Sequence, residues 1–294
     1  MEEKPSELRA LQLKCLEILE LVHQICVEGG IRYSLNGGTV VGAHLYGRML
    51  PWDDDIDLMM AREEYNKFVR LCPSKLPEGY RMVNYHVCDR YDVLFTKIED
   101  TRTTLVQLSG EQKIVSGVFI DVACYDKVPC NYLKSFVLFV NKMVQWIFCA
   151  TYSDSPRCVM DYLRNTWLRI FGKYPTWVYK IAQWIYERCG NISKRYVYSE
   201  LMFGHTIPFR PSVFENYTTI SFEGKQYMIV RDYIEYLQTR YNRTDFREPE
   251  DKQVPPHYSY VNLAMPYREY CDLQQKATSD RYGRVDVEKD FDLS

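Results

Sequence analysis

The acidic block at residues 52–57, which reads Trp-Asp-Asp-Asp-Ile-Asp, places four carboxylates within five positions. Like charges this close repel one another, and a divalent cation is the ligand that best neutralises them. In an extended strand the side chains alternate, so Asp55 and Asp57 are predicted on one face while Ile56 points into a core. A solvated acidic loop is the usual explanation of an acidic run. The flanking tryptophan and the apolar run that follows do not suit a free loop, so the block predicts a metal site.

The turn Asn36-Gly37-Gly38-Thr39 lies one short helix upstream of this block. Glycine has no Cβ, so the backbone amides at the start of a helix can approach a phosphate there, and Thr39 adds a hydroxyl donor. Alone this is a weak signal, because a turn before a helix needs glycine for steric reasons. A strand, a Gly-Gly turn, a helix and an Asp-Ile-Asp strand together resemble the opening of the nucleotidyltransferase fold. The pair of features predicts Mg²⁺-dependent phosphoryl transfer.

The composition fits a globular chain of 294 residues, with 46 % apolar residues, 26 % charged residues and a net charge of −2. A general nucleic-acid binder usually carries strong positive charge, so we expect no nucleic-acid partner. Aromatic residues make up 15 %, and 25 of them are tyrosines. Tyrosine stacks on sugars and bases as well as lining half-buried surfaces, so a glycan or nucleotide ligand agrees with the composition.

The ten cysteines form no Cys-x-x-Cys pair, and several fall on apolar helix faces, where a thiol behaves as a small hydrophobe. The first residues show no signal-peptide pattern, and no segment reaches the length of an uncharged bilayer span. We therefore expect a reduced, cytoplasmic chain. Peripheral contact with the inner face of the membrane is left open.

Hydrophobic spacing predicts an α+β fold, a mixed β-sheet core flanked by helices with helical additions in the C-terminal half. The predicted helices cover residues 6–28, 39–46, 62–71, 132–151 and 167–188, and the predicted strands cover 31–35, 55–60, 80–86, 93–98 and 118–122. We expect a single catalytic domain over residues 1–294. Its parts are a core at about 6–128, a helical insertion at 129–200, a C-terminal part at 201–276 and a frayed, charged tail at 277–294. The apolar helix at 132–151 suits a membrane surface or core packing, and core packing is the commoner explanation.

A third carboxylate is expected from a neighbouring strand, and Asp121 is the best candidate because it is a lone acid in an apolar strand. Its alternative is an ordinary strand-end acid paired with an arginine. Lys97 alternates with apolar residues, so it either reaches a phosphate or forms a salt bridge on the strand. Asp100 belongs to the same polar cluster, and His257, after a proline pair, either orients a substrate or is structural.

These residues resemble the LicD family of bacterial phosphocholine transferases, to which the fukutin-type glycan phosphotransferases are related. The match rests on Gly37-Gly38-Thr39 with the acidic block, on residues 97–103 and on residues 117–121, with a weaker echo at 236–241 and 255–257. The resemblance implies a nucleotidyltransferase-like fold in which Asp55 and Asp57 hold the metal and Asp121 ligates it or acts as base. In the loop at 42–51 the basic residues are shifted. Arg48 in this loop and Asp53 in the acidic block are further candidates.

The implied reaction transfers phosphocholine, or a similar phospho-alcohol, from a CDP-linked donor to a hydroxyl of a glycan or glycolipid and releases CMP. The implied cofactor is Mg²⁺ or Mn²⁺, and Gly37, Gly38, Thr39 and Lys97 are expected to bind the donor. A nucleotidyltransferase that uses an NTP, and an enzyme for CDP-ribitol or CDP-glycerol, would use the same residues. A non-enzymatic binding protein of this fold is less favoured, because all three carboxylates are present.

Overall fold

The computed structural model describes residues 6–87, 95–109, 112–148, 158–172, 176–201, 206–247 and 257–282. The helices are α1 (Glu7–Glu28), α2 (Gly37–Tyr46), α3 (Arg62–Leu71), α4 (Leu133–Phe148), α5 (Val159–Phe171), α6 (Thr176–Ile192), α7 (Tyr233–Tyr241) and α8 (Tyr267–Tyr282). The strands are β1 (Ser34–Leu35), β2 (Asp57–Ala61), β3 (Tyr80–Val83), β4 (Thr96–Ser109), β5 (Gln112–Pro129), β6 (Tyr196–Ser199), β7 (Tyr217–Phe222), β8 (Lys225–Val230) and β9 (Tyr258–Asn262).

A mixed seven-stranded sheet positions the predicted site. Its order is β1-β2-β5-β4-β3, with β6 paired to β5 and β9 to β4. Strands β2 and β5 run parallel, in a register that sets Asp57 beside Asp121, and β4 runs antiparallel to β5 with Lys97 beside Asp121. Helices flank this sheet, and β7 and β8 form a separate hairpin. The predicted α+β class with a mixed sheet is confirmed.

Helix α1 holds the acidic block against the sheet. We call the chain that carries this block, residues 52–57, the acidic loop. The Ser6 hydroxyl caps it by accepting a hydrogen bond from the Arg9 amide, and the chain leaves the helix at Gly29. Its apolar face is buried in the main core, which explains why the sequence predicted its bounds closely. From the same face the Gln12 amide donates to the Leu50 and Asp53 carbonyls at 3.0 and 2.9 Å. This helix therefore fixes the backbone of the acidic loop.

A second, smaller core lies where α4 and α6 pack against the end of β5 around Val128, Val137, Tyr179 and Tyr186. The buried ion pair of Arg62 with Asp126, at 2.7 and 2.9 Å, joins α3 to β5 beside it. One face of α4 thus packs in a core, as the commoner explanation predicted. Among the described residues, no helix has the length and apolar character needed to cross a membrane.

Several predicted bounds were wrong. The helix expected at 167–188 is interrupted, because Gly172 takes a φ of +72°, a conformation that glycine adopts readily, between α5 and α6. The strand expected at 80–86 ends at Val83, because the Asn84 side chain accepts hydrogen bonds from the His86 and Val87 amides and turns the chain.

Other bounds moved by a few residues. The strands expected at 31–35 and 55–60 begin only at Ser34 and Asp57, and β6 lies inside the segment expected to be helical. Helix α8 continues to Tyr282, into the expected tail. The start of the strand at 93–94, the end of the helix at 149–151, the proline pair at 255–256 and the tail beyond 282 lie outside the described residues. The eight cysteines in the described part of the chain are free thiols.

Candidate active site

Three carboxylates converge at the edge where the parallel strands β2 and β5 begin to pair. One oxygen each of Asp55, Asp57 and Asp121 lies within 4.8 Å of the others. Asp57 opens β2 and faces Asp121 in register, and the Asp121 amide donates to the Ile56 carbonyl at 3.0 Å. This hydrogen bond extends the pairing one residue before β2 and so holds Asp55 close to the strands. The predicted pair and the predicted third carboxylate are therefore brought together.

The electrostatics of this cluster suit a cation. Burial, reinforced by the charge of Asp55, raises the pKa of Asp57 well above its usual range, and burial also raises the pKa of Asp55. Burial raises the pKa of Asp121 to about 7, although the charge of Lys97 opposes the shift. Carboxylates that resist ionisation in each other's presence gain from a bound divalent cation. Oxygen atoms are the ligands that Mg²⁺ and Mn²⁺ prefer, so the three side chains fit such an ion.

The Gly-Gly turn gives the carboxylates access to the start of α2. Gly37 has a φ of +52°, and a Cβ on it would lie 3.2 Å from the Asp57 Oδ2. A Cβ on Gly38 would lie 2.8 Å from the Asp53 Oδ2. A side chain on either glycine would therefore crowd a carboxylate that lies close to the start of α2. The Thr39 hydroxyl accepts a hydrogen bond from the Asp57 amide at 3.0 Å, so it also anchors the start of β2.

Lys97 forms an ion pair with the third carboxylate. Its Nζ lies 3.2 Å from the Asp121 Oδ1 and 3.1 Å from the centre of the Phe119 ring. Of the two alternatives that the sequence allowed, the salt bridge on the strand is the one present. The alternative of an arginine partner for Asp121 was wrong, since its cation is a lysine. The role of Lys97 in donor binding stays a prediction.

Asp54 and His257 form a second polar cluster against Asp55. The His257 amide donates to the Asp54 Oδ2 at 2.7 Å, and its Nδ1 lies 2.8 Å from the Asp54 Oδ1. Burial lowers the pKa of His257, but the hydrogen bond with Asp54 and the acidic charges outweigh it, so the net shift is upward. The ligand atoms of Asp54, Asp55 and His257 lie within 4.8 Å of one another. The structure therefore brings His257 to the site from the far end of the chain.

Two of the sequence candidates lie apart from the carboxylate cluster. Asp100 is buried and accepts two hydrogen bonds of 2.8 Å from the Arg102 guanidinium. Its Oδ2 also lies 3.7 Å from the Lys14 Nζ. Arg48 is exposed, and its charge acts on Glu223 in the turn of the β7–β8 hairpin. The contacts of Asp100 account for it as a structural carboxylate.

Helix α7 supplies two residues that the sequence reasoning did not assign to the site. Arg240 Nη1 donates to the Tyr125 hydroxyl and to Glu200, both at 3.0 Å, and its Nη2 lies 3.9 Å from the place of a Cβ on Gly37. Its charge lowers the pKa of Asp57, against the larger effect of burial. One turn earlier, the Tyr236 hydroxyl bonds the Asn36 side chain at the start of α2. The spacing of four residues puts both on one helix face, and this signal was available in the echo at 236–241.

Comparisons with known proteins define the class of this fold and site. Residues 30–148 match the family model described as LicD/FKTN/FKRP, nucleotidyltransferase domain. The matched segment contains α2, the acidic loop and strands β2 to β5, and with them all three clustered carboxylates. This match agrees with the LicD-type nucleotidyltransferase domain that the motifs predicted.

Similarity to one relative extends beyond this domain. Over 272 residues the chain is 28 % identical to the lipopolysaccharide cholinephosphotransferase LicD of Haemophilus influenzae, covering 86 % of this chain and 97 % of that protein. An uncharacterized protein of Rickettsia typhi is 29 % identical over 86 residues, which are 28 % of this chain and 27 % of that one. Another, of Rickettsia prowazekii, is 21 % identical over 118 residues, 38 % of this chain and 44 % of that one. The family match and the long relative agree with the prediction of a LicD-type phosphotransferase.

Proposed function

We propose that this protein transfers phosphocholine, or a similar phospho-alcohol, from a CDP-linked donor to a hydroxyl group of a glycan or glycolipid. The observation that carries this proposal is the convergence of Asp55, Asp57 and Asp121 within 4.8 Å beside the start of α2. The name of the Haemophilus relative supports a choline phosphate donor and a lipopolysaccharide acceptor. A CDP-linked donor presents two phosphates that a divalent cation and a helix start can bind together. The name of the relative favours choline as the alcohol, so CDP-choline is the preferred donor.

Each residue has a distinct part in this proposal. Asp55 and Asp57 would hold Mg²⁺ or Mn²⁺, which when bound supplies positive charge to the diphosphate. The amides at the start of α2, freed of side chains at Gly37 and Gly38, receive phosphate oxygens. Arg240 adds a fixed positive charge at the same helix start. The site thus gathers positive charge where a diphosphate would lie.

Asp121 is proposed as the base. The acceptor hydroxyl attacks the phosphorus that bears choline, a new phosphorus–oxygen bond forms, and the bond to CMP breaks. The hydroxyl proton passes to Asp121, whose pKa of about 7, raised by burial, suits a base that works near neutrality. The products are a glycan phosphodiester and CMP. Since no covalent enzyme intermediate is involved, inversion at phosphorus is expected.

A ligand screen tests the proposal. The melting temperature of the full chain is measured with Mg²⁺ and each of CDP-choline, CDP-ribitol, CDP-glycerol and NTPs, since a ligand that binds the native state raises it. We expect CDP-choline to give the largest shift, and CMP to be released when a glycan acceptor is added. The Asp55→Asn and Asp57→Asn variants should stay folded and lose CMP release.

Other outcomes would overturn the proposal or redirect it. Release of pyrophosphate from an NTP would identify a nucleotidyltransferase instead. A larger shift with CDP-ribitol or CDP-glycerol would move the proposal to those donors. Full activity of Asp57→Asn would contradict the metal assignment.

A further inference from the structure

Exposed apolar side chains are concentrated on three consecutive helices. Of the 21 large hydrophobic residues that are exposed in the described part of the chain, 14 lie between Tyr132 and Ile192. That segment is about a fifth of the sequence, so the concentration is about threefold. Apolar exposure that is concentrated in this way is typical of an interaction surface.

Helix α4 is apolar on both of its faces. Val137 and Val144 are buried in the smaller core. Phe136, Phe139 and Met143 are exposed, and their spacing of three and four residues puts them on one outward stripe. A helix that only covered a core would carry polar side chains on this second face. The outward stripe is therefore unexplained by folding.

Helix α6 repeats this arrangement. Tyr179 and Tyr186 are buried, while Trp177, Ile181 and Trp184 form an exposed stripe, with 60 % of Trp184 accessible. The Arg188 guanidinium lies 5.8 Å from the Trp184 ring. Two tryptophans on one exposed stripe are unusual in a surface helix that has no partner.

Helix α5 is exposed on nearly all sides, since Asn165 is its one buried residue. Its exposed apolar side chains include Leu163, Ile170 and Phe171. The Phe171 ring packs between two tryptophans. Its centre lies 4.4 Å from the centre of the Trp167 ring and 5.7 Å from that of Trp177 on α6. This aromatic cluster joins α5 to the stripe of α6. We call the exposed apolar residues of α4, α5 and α6 the apolar helix surface.

The charge of this segment is opposite to that of the rest of the chain. Residues 130–195 contain ten lysines and arginines against three aspartates and glutamates, whereas the whole chain has a net charge of −2. Lys134 and Lys142 are exposed on α4, and Lys180 and Arg188 are exposed on α6. Long basic side chains next to apolar residues can bury their stems and keep their charges in water.

We propose that the apolar helix surface docks on an anionic phospholipid bilayer. Helices that lie in a membrane interface insert Trp, Phe and Leu at the boundary of the headgroups and carry Lys and Arg above them. The apolar helix surface has this pattern. The helices have 16, 13 and 17 residues, which is about 20–26 Å at 1.5 Å per residue. This is shorter than a bilayer core of about 30 Å, so the helices lie along the membrane.

A second copy of the chain is the less favoured occupant. A two-fold interface sets the same patch against itself, so two segments with an excess of positive charge would face each other. Like charges across an interface oppose association, whereas anionic lipids attract them. The proposal goes beyond the transfer reaction and needs no turnover for its test.

Sedimentation with vesicles tests the docking surface. The full chain is mixed with vesicles of phosphatidylcholine alone, or with about a third phosphatidylglycerol. We expect binding to the anionic vesicles, at least about tenfold weaker binding to the neutral ones, and loss of binding in high salt. Ile181→Glu with Trp184→Glu should abolish binding, and Lys134→Glu with Lys142→Glu should weaken it at least about 30-fold.

The controls separate this proposal from folding and from catalysis. Val27→Glu with Leu273→Glu makes the same change at exposed apolar residues on α1 and α8, and it should leave vesicle binding and the melting temperature unchanged. Asp55→Asn should bind vesicles as the wild type does. Folded protein that ignores anionic vesicles would overturn the proposal. So would a dimer in solution that Ile181→Glu with Trp184→Glu dissociates, since the surface would then belong to a second copy.

Discussion

Asp121 could act either as the general base or as a third metal ligand. Its carboxylate lies within reach of the metal candidates Asp55 and Asp57 and forms an ion pair with Lys97. A base needs a free oxygen toward the acceptor, whereas a third ligand would give that oxygen to the cation. The two roles differ in what is lost when the carboxylate becomes an amide.

We expect Asp121→Asn to keep metal-dependent binding of the CDP donor and to lose transfer by about 10²–10⁴-fold, the usual contribution of a general base. Calorimetry measures donor binding, and CMP release measures transfer. Lys97→Gln is a useful companion, because it removes the partner of Asp121 and leaves the carboxylate. If Asp121→Asn loses donor binding as completely as Asp55→Asn does, Asp121 is a third ligand.

Arg240 offers a second test at the scale of one residue. It lies at the start of α2, where a diphosphate would bind, and is held by Glu200 and the Tyr125 hydroxyl. Loss of a hydrogen bond to a charged group costs about 1.5–3 kcal/mol, so Arg240→Gln should weaken donor binding about 10–100-fold. The control is Arg210→Gln. Arg210 is exposed and pairs with Glu235 of α7, the helix that also carries Arg240. Equal donor affinity in both variants would exclude Arg240 from the site.

The residues of the site differ in how visible they are in the sequence. Asp55 and Asp57 were found because four carboxylates within five positions repel one another and suit a cation. Asp121 was found because a lone acid in an apolar strand is costly to bury. Asp100 was a candidate because it belongs to the polar cluster at 97–103, yet in the structure its charge is paired with Arg102. Arg240 lay in the weaker resemblance at 236–241, but an arginine on a helix is ordinary until its neighbours are known, so it was not assigned to the site.

At the scale of elements, the start of α2 depends on its missing side chains. A methyl group on Gly38 would lie 2.8 Å from the Asp53 Oδ2, too close for any real Cβ contact. We therefore expect Gly38→Ala to push the Asp53 carboxylate aside, to lower the melting temperature and to weaken donor binding.

The double variant Gly38→Ala with Asp53→Ala separates the two causes. Removal of the carboxylate should restore the melting temperature if the clash with Asp53 is the cause of the loss. Donor binding should stay weak in the double variant if the methyl group also blocks the phosphate. Should the double variant melt as low as Gly38→Ala alone, the clash with Asp53 is not the source of the instability.

Elements were predictable where local signals decide their ends. The bounds of α1 and α3 follow from apolar spacing, with a serine cap at the start of α1. The ends of β1 and β3 depend on pairing across the sheet and on the Asn84 side chain, which hydrophobic alternation does not show. The break at Gly172 was missed because the apolar pattern continues on both sides of it.

At the scale of the whole molecule, the site is assembled from distant parts of the chain. The sheet sets Asp57 beside Asp121, α7 brings Arg240 to Gly37, and the approach to β9 brings His257 to Asp54. The order of motifs predicted the first of these contacts through its resemblance to a known fold. The other two come from the C-terminal third, where the weaker resemblance at 236–241 and 255–257 marked the residues but no local pattern specified their contacts.

The clustered carboxylates should also control how the stability of the metal-free protein depends on pH. Burial, with the charge of Asp55, raises the pKa of Asp53 to about 7, and burial raises that of Asp121 to about 7. A carboxyl group whose pKa is higher in the folded state destabilises that state once it ionises. Stability is therefore lost as the pH rises from about 4 through about 7. Three other carboxylates have lowered pKa values, because their bonds to basic residues outweigh the effect of burial; they are Asp100, Glu64 and Glu223. Their contribution to stability is therefore lost as the pH falls below this window.

We expect Asp57→Asn to melt higher than the wild type in a chelator at pH 8, because one charge of the repelling group is gone. Each 1 kcal/mol of relieved repulsion corresponds to about 2–4 °C. At pH 5, where the raised pKa values keep the wild-type cluster largely protonated, the two should melt within about 1 °C of each other. Adding Mg²⁺ at pH 8 should stabilise the wild type more than the variant. Asp245→Asn, at an exposed carboxylate, is the control and should show no such trend. A difference between Asp57→Asn and wild type that is the same at both pH values would show that repulsion within the cluster is not what the cation relieves.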